Sequence, residues 1–410
     1  MARIVTSAAA PRVEEPSALR IHLQPAATAM VWLGVERPLE AVAVPDVVLG
    51  PGEVLVALEF ATICGSDVHT MLGHRQSPAP GVLGHEYVGR VVATGDGGAR
   101  TIDGEALEPG ARIVWSVMAS CGECDRCTRG LTQKCRNLLK YGHERLTTRW
   151  ELSGGFATHM HLRSGTDIVA VDETTPAAAL APVTCGTATA VAAMRAALRV
   201  VEVDSPAVLV SGAGLIGLTV AALARDRGCT VVVADPDDKR RDLAARFGAH
   251  AAIDPGDPGA AAETWAGLGL PGPDIVIEAS GSRVAVSAAL DAVEIGGAVV
   301  LVGSVFPTEP VALDPESLVR GLVTVRGVHN YTSADLAAAL EFVEGSADRW
   351  PFAELVEATF PLERLGDGVA LAATGGPIRV GIDLSTSCDA GTAPRGQRRT
   401  REVEAAVTPR

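Results

Sequence analysis

The stretch Ala207-Val-Leu-Val-Ser-Gly-Ala-Gly-Leu-Ile-Gly217 decides how the second half of this 410-residue chain folds. Its apolar start is typical of a buried strand, and an apolar helix pattern follows from Leu215 to Arg227. The spacing G-x-G-x-x-G stands at their junction, where it is far more specific than it is alone. Gly212 allows a tight turn, Gly214 lets the backbone approach a pyrophosphate, and Gly217 lets helix and strand pack closely. The stretch therefore predicts a dinucleotide-binding site.

The first helical turn and the end of the next strand complete this predicted site. The phosphates are expected at Leu215 and Ile216, because the first N–H groups of a helix are unpaired and lie at the positive end of its dipole. Asp235 ends the next strand, and its carboxylate suits ribose hydroxyls but repels a 2′-phosphate, which favours NAD over NADP. Asp235 has an alternative role as a helix cap before Pro236. Three basic residues leave NADP as an alternative cofactor: Lys239, Arg240 and Arg241. Of these, Arg240 is also a predicted cofactor contact.

From about residue 190 the chain alternates strand and helix patterns, which implies a parallel sheet covered on both faces. Further strands are predicted at Thr230–Ala234, Asp274–Glu278 and Ala298–Val302. Ligands of such sheets bind outside the carboxyl ends of the strands. We therefore expect Glu278 and Gly303, which end or follow two of these strands, to lie near the cofactor.

A second informative stretch is the cysteine run C-x2-C-x2-C-x7-C, formed by Cys121, Cys124, Cys127 and Cys135. Four thiolates can close a tetrahedral zinc site with no open position, so the predicted role is structural. Disulfides are disfavoured, because no secretory signal is recognised and a reducing, cytoplasmic compartment is expected. An iron–sulfur cluster is disfavoured because the bacterial ferredoxin run places its fourth cysteine after three residues and before Pro, whereas here the gap is seven and Arg136 follows.

The composition limits the class of protein. Hydrophobic residues make up 47% of the chain and charged residues 20%, which suffices for a large core. The formal net charge of −14 argues against nucleic acid and anionic membranes as partners, because both need basic surfaces. Short apolar runs alternate with Gly/Pro turns before the cysteine run, which predicts a β-rich domain. A small-molecule partner is expected.

Three further residues offer a second metal site. Cys64, His85 and Cys185 match the Cys₂His pattern of catalytic zinc sites, whose fourth position stays open for water or substrate. Each has an ordinary alternative, since a single cysteine can be a small buried residue and a single histidine a hydrogen-bonded core residue. Their occurrence together, beside a four-cysteine run and a nucleotide fold, favours the metal site.

The chain resembles the zinc-dependent medium-chain alcohol dehydrogenases over about residues 28–385. Five stretches carry the resemblance: CGSDxH at 64–69, GHE at 84–86, the four-cysteine run, CGTAT at 185–189 and GAGLIG at 212–217. It implies that Cys64, His85 and Cys185 bind a catalytic zinc, with Glu86 beside it or as an exchangeable fourth ligand. It also implies a proton relay through Ser66 and His69. Thr189, in the fourth stretch, is a predicted cofactor contact.

The resemblance implies an α/β plus β fold, in which a GroES-like catalytic domain is interrupted by a Rossmann nucleotide-binding domain. It also implies two zinc ions per chain, NAD, and a homodimer or homotetramer formed by pairing of Rossmann edges. The expected segments are a disordered arm (1–27), the GroES-like domain (28–186) with a structural zinc lobe (118–152), the Rossmann domain (187–325), a return to the catalytic domain (326–385) and a disordered tail (386–410).

Within this family, the chain is similar to phosphonate-catabolism-associated zinc alcohol dehydrogenases and to cyclitol dehydrogenases. Four stretches carry this similarity: Trp115-Ser-Val, Lys140-Tyr-Gly-His-Glu144, Leu152-Ser-Gly-Gly-Phe156 and Arg326-Gly-Val-His-Asn-Tyr331. The implied substrate is a polar alcohol or carbonyl compound: a polyol, cyclitol or sugar, with or without phosphate, or a hydroxyalkylphosphonate. Six polar side chains are candidates for lining its pocket: Lys140, Tyr141, His143, Glu144, His329 and Asn330. Two other functions stay open: a zincless-type quinone or enoyl reductase, and a non-catalytic nucleotide-sensing protein.

Overall fold

The structure, a computed structural model, describes residues 18–385 of the chain. Its strands are β1 Leu19–Trp32, β2 Leu39–Leu49, β3 Val54–Ile63, β4 Gly81–Val82, β5 Glu86–Thr94, β6 Arg112–Ala119, β7 Leu139–Lys140, β8 His159–Leu162, β9 Thr166–Ala170, β10 Ala207–Ser211, β11 Thr230–Ala234, β12 Ala251–Ile253, β13 Ile275–Glu278, β14 Ala298–Leu301, β15 Thr324–Gly327, β16 Val356–Pro361 and β17 Arg379–Asp383. Its helices are α1 Gly65–Met71, α2 Ala177–Leu180, α3 Gly186–Leu198, α4 Leu215–Asp226, α5 Asp238–Arg246, α6 Ala260–Gly267, α7 Arg283–Ala292, α8 Pro315–Gly321, α9 Ser333–Gly345 and α10 Leu365–Ala373.

The nucleotide-binding half is a parallel sheet of six strands in the order β12-β11-β10-β13-β14-β15. Strand β10 pairs with β11 on one side and with β13 on the other, so the strand order reverses at β10. All five β10 residues are buried, as expected for a strand covered on both faces. The predicted strand Ala207–Ser211 is confirmed, and the helix that follows it, Leu215–Asp226, is one residue shorter than predicted. The ligand crevice of this sheet therefore opens at the carboxyl end of β10.

The catalytic half is built on an eight-stranded sheet, in which six strands follow the order β16-β17-β3-β5-β6-β7. Strands β8 and β9 pair with β3 and β6. Late strand β17 pairs antiparallel with early strand β3, so both ends of the described chain build this half. Strand β15 still belongs to the parallel sheet as far as Gly327, so it crosses the boundary that we predicted at residues 325/326. The fold class, a GroES-like half with an inserted Rossmann half, is confirmed.

The prediction of a disordered arm is wrong for residues 19–27. These residues belong to β1, which pairs antiparallel with β2 from Leu19 opposite Leu49. The pattern of alternating burial from Leu19 to Leu23 is short, and the register shifts between His22 and Ala27. Because the strand is irregular around Pro25, its sequence lacks the regular alternation of apolar and polar residues that predicts a strand. Residues 1–17 and the predicted tail 386–410 lie outside the described residues.

No single described helix combines the length and the apolar composition of a membrane span. One pair of helices bent by 55°, Ala177–Thr184 and Gly186–Leu198, meets the two criteria only when taken together.

Candidate active site

Three distant segments bring Cys64, His85, Glu86 and Cys185 together. Cys64 stands at the start of α1, directly after β3, and Cys185 stands at the start of α3. His85 directly precedes β5 and Glu86 begins it, and β5 is paired with β3. One ligand atom from each of these four residues lies within 4.8 Å of the others. The antiparallel pairing of β3 with β5 and the start of α3 therefore create one buried group of metal-type ligands.

Asp67 fixes the orientation of the His85 ring. Its Oδ1 accepts from His85 Nδ1 (3.2 Å) and from the Gly84 backbone N–H (3.2 Å). Its Oδ2 accepts from the Cys64 backbone N–H (3.0 Å), which caps α1. Because Nδ1 is engaged, Nε2 is the nitrogen that faces the cluster. Asp67 therefore caps the helix and also holds a candidate ligand.

Arg379, which the sequence analysis missed, holds the carboxylate of Glu86. Its Nε donates to Glu86 Oε2 (2.7 Å), and its Nη2 donates to Oε1 (2.8 Å). Thr62 Oγ1 also donates to Oε2 (2.6 Å), and Arg379 Nη2 lies 3.7 Å from Cys64 Sγ. Both oxygens of Glu86 therefore accept hydrogen bonds in this arrangement. Glu86 must leave its bidentate pair with Arg379 before it can act as a fourth metal ligand.

The charges around the cluster favour a bound cation. A hydrogen bond with Cys185 and the positive charge of Arg379 hold the pKa of Cys64 well below its usual range. Burial lowers the pKa of His85, but Asp67 and Cys64 raise it to about 10. Burial raises the pKa of Glu86 to about 7, against the effect of Arg379. The thiolate form of Cys64 is thereby favoured, and a thiolate is the form that binds a metal ion.

The two predicted relay residues lie at one edge of the cluster, on α1. Ser66 Oγ lies 3.1 Å from His85 Nε2, so its hydroxyl borders the ligand group. His69 is partly exposed, and its Nδ1 lies 3.2 Å from Nδ1 of His74. Its ring also packs against Phe306, with ring centroids 4.2 Å apart. The structure places both residues on the same short helix, with Ser66 facing the ligands and His69 facing outward.

The four-cysteine lobe gathers its ligands within one loop. Sulfur atoms lie 3.4 Å apart for Cys135 and Cys121, 3.5 Å for Cys124 and Cys127, and 4.0 Å for Cys124 and Cys135. Thiolates about 2.3 Å from a tetrahedral zinc ion lie roughly 3.8 Å from each other, so the spacing fits the ion. Backbone N–H groups, of Arg136 first and then of Cys127, lower the pKa of Cys124 to about 6. The lobe therefore offers a preformed set of four soft ligands.

The glycines of the dinucleotide turn serve distinct purposes in the structure. Gly212 has φ +98°, and a Cβ on it would lie 3.0 Å from the Ser280 backbone nitrogen. A Cβ on Gly217 would collide with the carbonyl of Gly212, so helix α4 can pack this closely only on glycine. Gly214 has open space where its side chain would stand. Together with the start of α4 at Leu215, this geometry suits a close approach of phosphates.

Two charged residues border the same crevice. Asp235 Oδ2 accepts from the Ala213 backbone N–H (2.7 Å), and its Oδ1 accepts from that of Asp237 (3.0 Å). The cap of α5 is Asp237, whose side chain accepts from the Arg240 backbone N–H, so Asp235 is not the helix cap. Arg240 donates from Nη2 to the Gly375 carbonyl (2.7 Å) and lines a cavity of about 180 Å³ with Gly214.

The remaining predicted cofactor residues lie on α3, at the start of α4 and at the carboxyl edge of the parallel sheet. Thr189 on α3 donates its hydroxyl to the Cys185 carbonyl (2.7 Å). Ile216 and Leu215 pack into the core, and Leu215 meets α3 at Gly186. A Cβ on Gly303 would collide with Gly281, so two loops at the carboxyl edge of the sheet touch there. Glu278 Oε1 accepts from Ser280 and Gly281 N–H groups (both 2.8 Å), which fixes one of these loops.

Tyr331 is a second residue that the sequence analysis missed at this site. It is buried, and its hydroxyl donates to the carbonyl of Thr184, the residue before Cys185. The same oxygen accepts from the Val117 backbone N–H (3.0 Å). The loop after β15 is thereby attached both to β6 and to the segment that carries Cys185. Arg379 and Tyr331 lie far along the chain from the residues that they contact, so no local spacing could have indicated them.

Two family models match the chain. The model described as "Alcohol dehydrogenase GroES-like domain" matches residues 50–173, and the one described as "Zinc-binding dehydrogenase" matches residues 216–345. Among curated proteins, an L-threonine 3-dehydrogenase of Cutibacterium acnes is 31% identical over 346 residues, which cover 80% of this chain and 94% of that protein. An L-threonine 3-dehydrogenase of Idiomarina loihiensis is 30% identical, with coverage of 76% and 83%.

Solved structures of similar proteins show the same fold. An alcohol dehydrogenase of Thermotoga maritima superposes with a TM-score of 0.79 at 27% identity, over 87% of this chain and 99% of that one. A zinc-binding dehydrogenase of Sinorhizobium meliloti bound to NADP has a TM-score of 0.75 at 28% identity, with the same two coverages.

Proposed function

Because the chain belongs to the zinc-dependent medium-chain alcohol dehydrogenases, we propose that it oxidises a polar alcohol, or reduces the matching carbonyl compound, at Cys64, His85 and Cys185. The observation that carries the proposal is the buried convergence of these ligand atoms, with Glu86, within 4.8 Å of one another. Two thiolates and one imidazole are a donor set that suits zinc with one open position. When bound, zinc supplies Lewis-acid polarisation of the substrate oxygen and the nicotinamide supplies hydride exchange.

The residues of the chain bind, orient and move protons. Asp67 holds His85 through Nδ1, so the ring presents Nε2 to the metal position. Ser66 Oγ lies 3.1 Å from this nitrogen, close enough to take the proton of a substrate hydroxyl that lies beside His85. His69, at the outer side of the same helix, is the group that we propose passes the proton to solvent. Arg379 engages both oxygens of Glu86, so this carboxylate must leave the pair before it can serve as a fourth ligand.

We propose that the four-cysteine lobe holds a second, structural zinc ion, so that the protein carries two per chain. The sulfur spacing fits a tetrahedral ion, and the loop supplies backbone N–H groups to its thiolates: Cys121 N–H to Cys135 Sγ (3.3 Å), and Asn137 N–H to the same sulfur (3.3 Å). Metal analysis of purified protein should give two zinc ions per chain. A zincless-type reductase would give at most one, and the buried Cys64–His85–Cys185 group argues against that alternative.

For the cofactor we propose NAD, bound by the turn Gly212–Gly217 and Asp235. The buried Asp235 carboxylate supports ribose binding and opposes a 2′-phosphate. A similar protein has been solved with NADP bound, so a preference of this protein for NADP is the result that would overturn the proposal. The test compares kcat/KM for the two cofactors in the native protein and in Asp235→Ala. We expect NAD to be preferred and the preference to fall at least about tenfold in the variant.

We also propose that two chains pair through β15, one of the two edge strands of the parallel sheet in the described residues. Two exposed apolar side chains stand beside this edge, Val319 and Leu322, at 73% and 71% exposure. A bare strand edge with apolar neighbours is a surface that another copy can cover. Light scattering should give a dimer or tetramer, and a monomer at all concentrations would contradict the proposal.

The proposed activity is tested by the rise of NADH absorbance with polyols, cyclitols, hydroxyalkylphosphonates and L-threonine, the substrate named for the curated relatives. The zinc-replete protein should turn over at least one of them. Failure with every alcohol and carbonyl compound, in a sample that binds cofactor, would favour the non-catalytic alternative.

A further inference from the structure

Two histidines stand beside each other where α1 ends. The chain turns back after the helix at Gly73, which has φ +79°. The N–H of Gly73 donates to the Thr70 carbonyl (3.1 Å), and the next N–H, of His74, donates to the His69 carbonyl (2.9 Å). These two bonds form a Schellman motif, which brings the residue after the glycine against the last turn of the helix. The backbone therefore fixes His74 beside His69.

The side chains of this pair are hydrogen-bonded to each other. Nδ1 of His69 lies 3.2 Å from Nδ1 of His74, and the ring centroids are 5.4 Å apart. A bond between two imidazole nitrogens needs a proton on one and a lone pair on the other, so the rings share one proton. A Schellman motif is frequently accompanied by a hydrophobic contact at these two positions. Two imidazoles in the same positions instead offer a path for a proton.

The pair leads from the ligand cluster towards solvent. His69 is partly exposed, and the ring of Phe306 packs against it with centroids 4.2 Å apart. His74, the outer member, is exposed. Its imidazole therefore meets water, whereas one face of the inner ring is covered by an aromatic side chain.

The charges around the pair favour release of a proton from His69. Burial lowers the pKa of His69, the charge of His74 lowers it further, and Cys64 acts in the opposite direction. In the part of the chain that the structure describes, the histidines that form salt bridges are others: His22, His85 and His161. No carboxylate bonded to either ring would therefore hold a proton on the pair.

We propose that His74 is the outer member of the proton relay and passes the proton of the substrate hydroxyl from His69 to water. This inference rests on the proposed function, to which it adds a residue. Because Nδ1 of His69 faces His74, Nε2 is the nitrogen that accepts the proton arriving from Ser66.

The transfer balances in protons. In the oxidation, His69 gains a proton at Nε2 and releases the one on Nδ1 to Nδ1 of His74. His74 then gives its Nε2 proton to water, so one proton enters the pair and one leaves it. Proton exchange with water returns both rings to their first tautomers, and reduction of a carbonyl compound uses the same steps in reverse.

The shared proton can be observed without turnover. Nitrogen-15 correlation spectra of the protein with labelled histidine report which ring nitrogens carry a proton. We expect one protonated and one accepting Nδ1 in the pair, with the signal of the shared proton lost in His74→Phe. Two Nδ1 atoms without a proton between them in the native protein would overturn the proposal, whatever the activity.

The kinetic test asks whether His74 carries the proton that leaves the substrate. It follows NADH formation in the first turnover by stopped flow, with the alcohol that reacts fastest among polyols, cyclitols, hydroxyalkylphosphonates and L-threonine. His74→Phe keeps a ring against His69, as the Schellman motif favours, but cannot carry a proton. At low buffer concentration we expect the rate in this variant to fall by about tenfold. A rising concentration of HEPES, a diffusible proton carrier, should restore most of the native rate.

The control is His22→Phe, because His22 is an exposed histidine on β1 that is bonded to Asp46 (3.1 Å). This variant should react at the native rate at every buffer concentration. A native rate in His74→Phe at low buffer concentration would overturn the proposal. A slower rate that buffer does not restore would assign His74 a structural role and contradict the proposal as well.

The two experiments keep this inference separate from the proposed activity. A shared proton in the spectra, together with no turnover of any alcohol, would contradict the dehydrogenase function and leave the bonded histidine pair standing. Turnover by a protein whose two rings share no proton would support the dehydrogenase function and contradict only the role of His74.

Discussion

The two groups of cysteines use the same sulfur ligands in opposite surroundings. The lobe draws its four thiols from fifteen consecutive residues, and backbone N–H donors lower the pKa of two of them, Cys121 and Cys124, whereas burial raises the pKa of Cys127. The cluster at Cys64 draws its ligands from segments up to 121 residues apart, and its neighbours are titratable side chains: Asp67, Glu86 and Arg379. A site with backbone donors alone can hold an ion, whereas the second site can also adjust charge and move a proton.

The largest expected effect comes from removing a ligand of the open cluster. Cys64→Ser replaces one of the two thiolate ligands by a hydroxyl, which binds zinc more weakly. The Lewis acid is then partly lost, so turnover should fall by about 1000-fold or more. Zinc content should fall from two ions per chain towards one, as measured by metal analysis. The control is Cys229→Ser, since Cys229 is buried outside both groups and its loss should leave two zinc ions. Full turnover in Cys64→Ser would contradict the metal mechanism.

The second effect separates the ligand from the residue that orients it. Asp67→Asn leaves every ligand in place but weakens the hold on His85 Nδ1, so zinc affinity or turnover should fall roughly 10- to 100-fold. The lobe has no side chain with this role, so its zinc should resist chelators as in the native protein. Competition with a chromogenic chelator measures both affinities. An equal loss of affinity for both zinc ions would mean that Asp67 acts on the stability of the whole protein.

The contrast between the two sites also explains what the sequence could predict. Spacing within fifteen residues suffices for the lobe, because a short loop brings its ligands together whatever the rest of the chain does. The turn Gly212–Gly217 is likewise local, and both the strand before it and the start of α4 agree with the prediction. For the open cluster the sequence offers only residue types that fit the Cys₂His pattern and the family resemblance, because its ligands meet through pairing of β3 with β5 and the packing of α3.

Residues that act from far along the chain could not be predicted. Arg379 lies 293 residues after Glu86, and it reaches that carboxylate because β17 pairs with β3. Tyr331 acts on Thr184 across 147 residues through the loop after β15. The first part of β1, residues 19–27, escaped for a local reason, since its irregular pairing breaks the alternation that reveals a strand. Tertiary pairing, not residue type, decides the first two features.

The third effect tests whether the lobe is only structural. Cys124→Ser should remove one zinc ion and lower the free energy of unfolding by about 4 kcal/mol or more, measured by denaturant titration with and without chelator. Turnover should change little, because the open cluster draws its ligands from outside the lobe. A loss of turnover as large as that of Cys64→Ser would contradict a purely structural role.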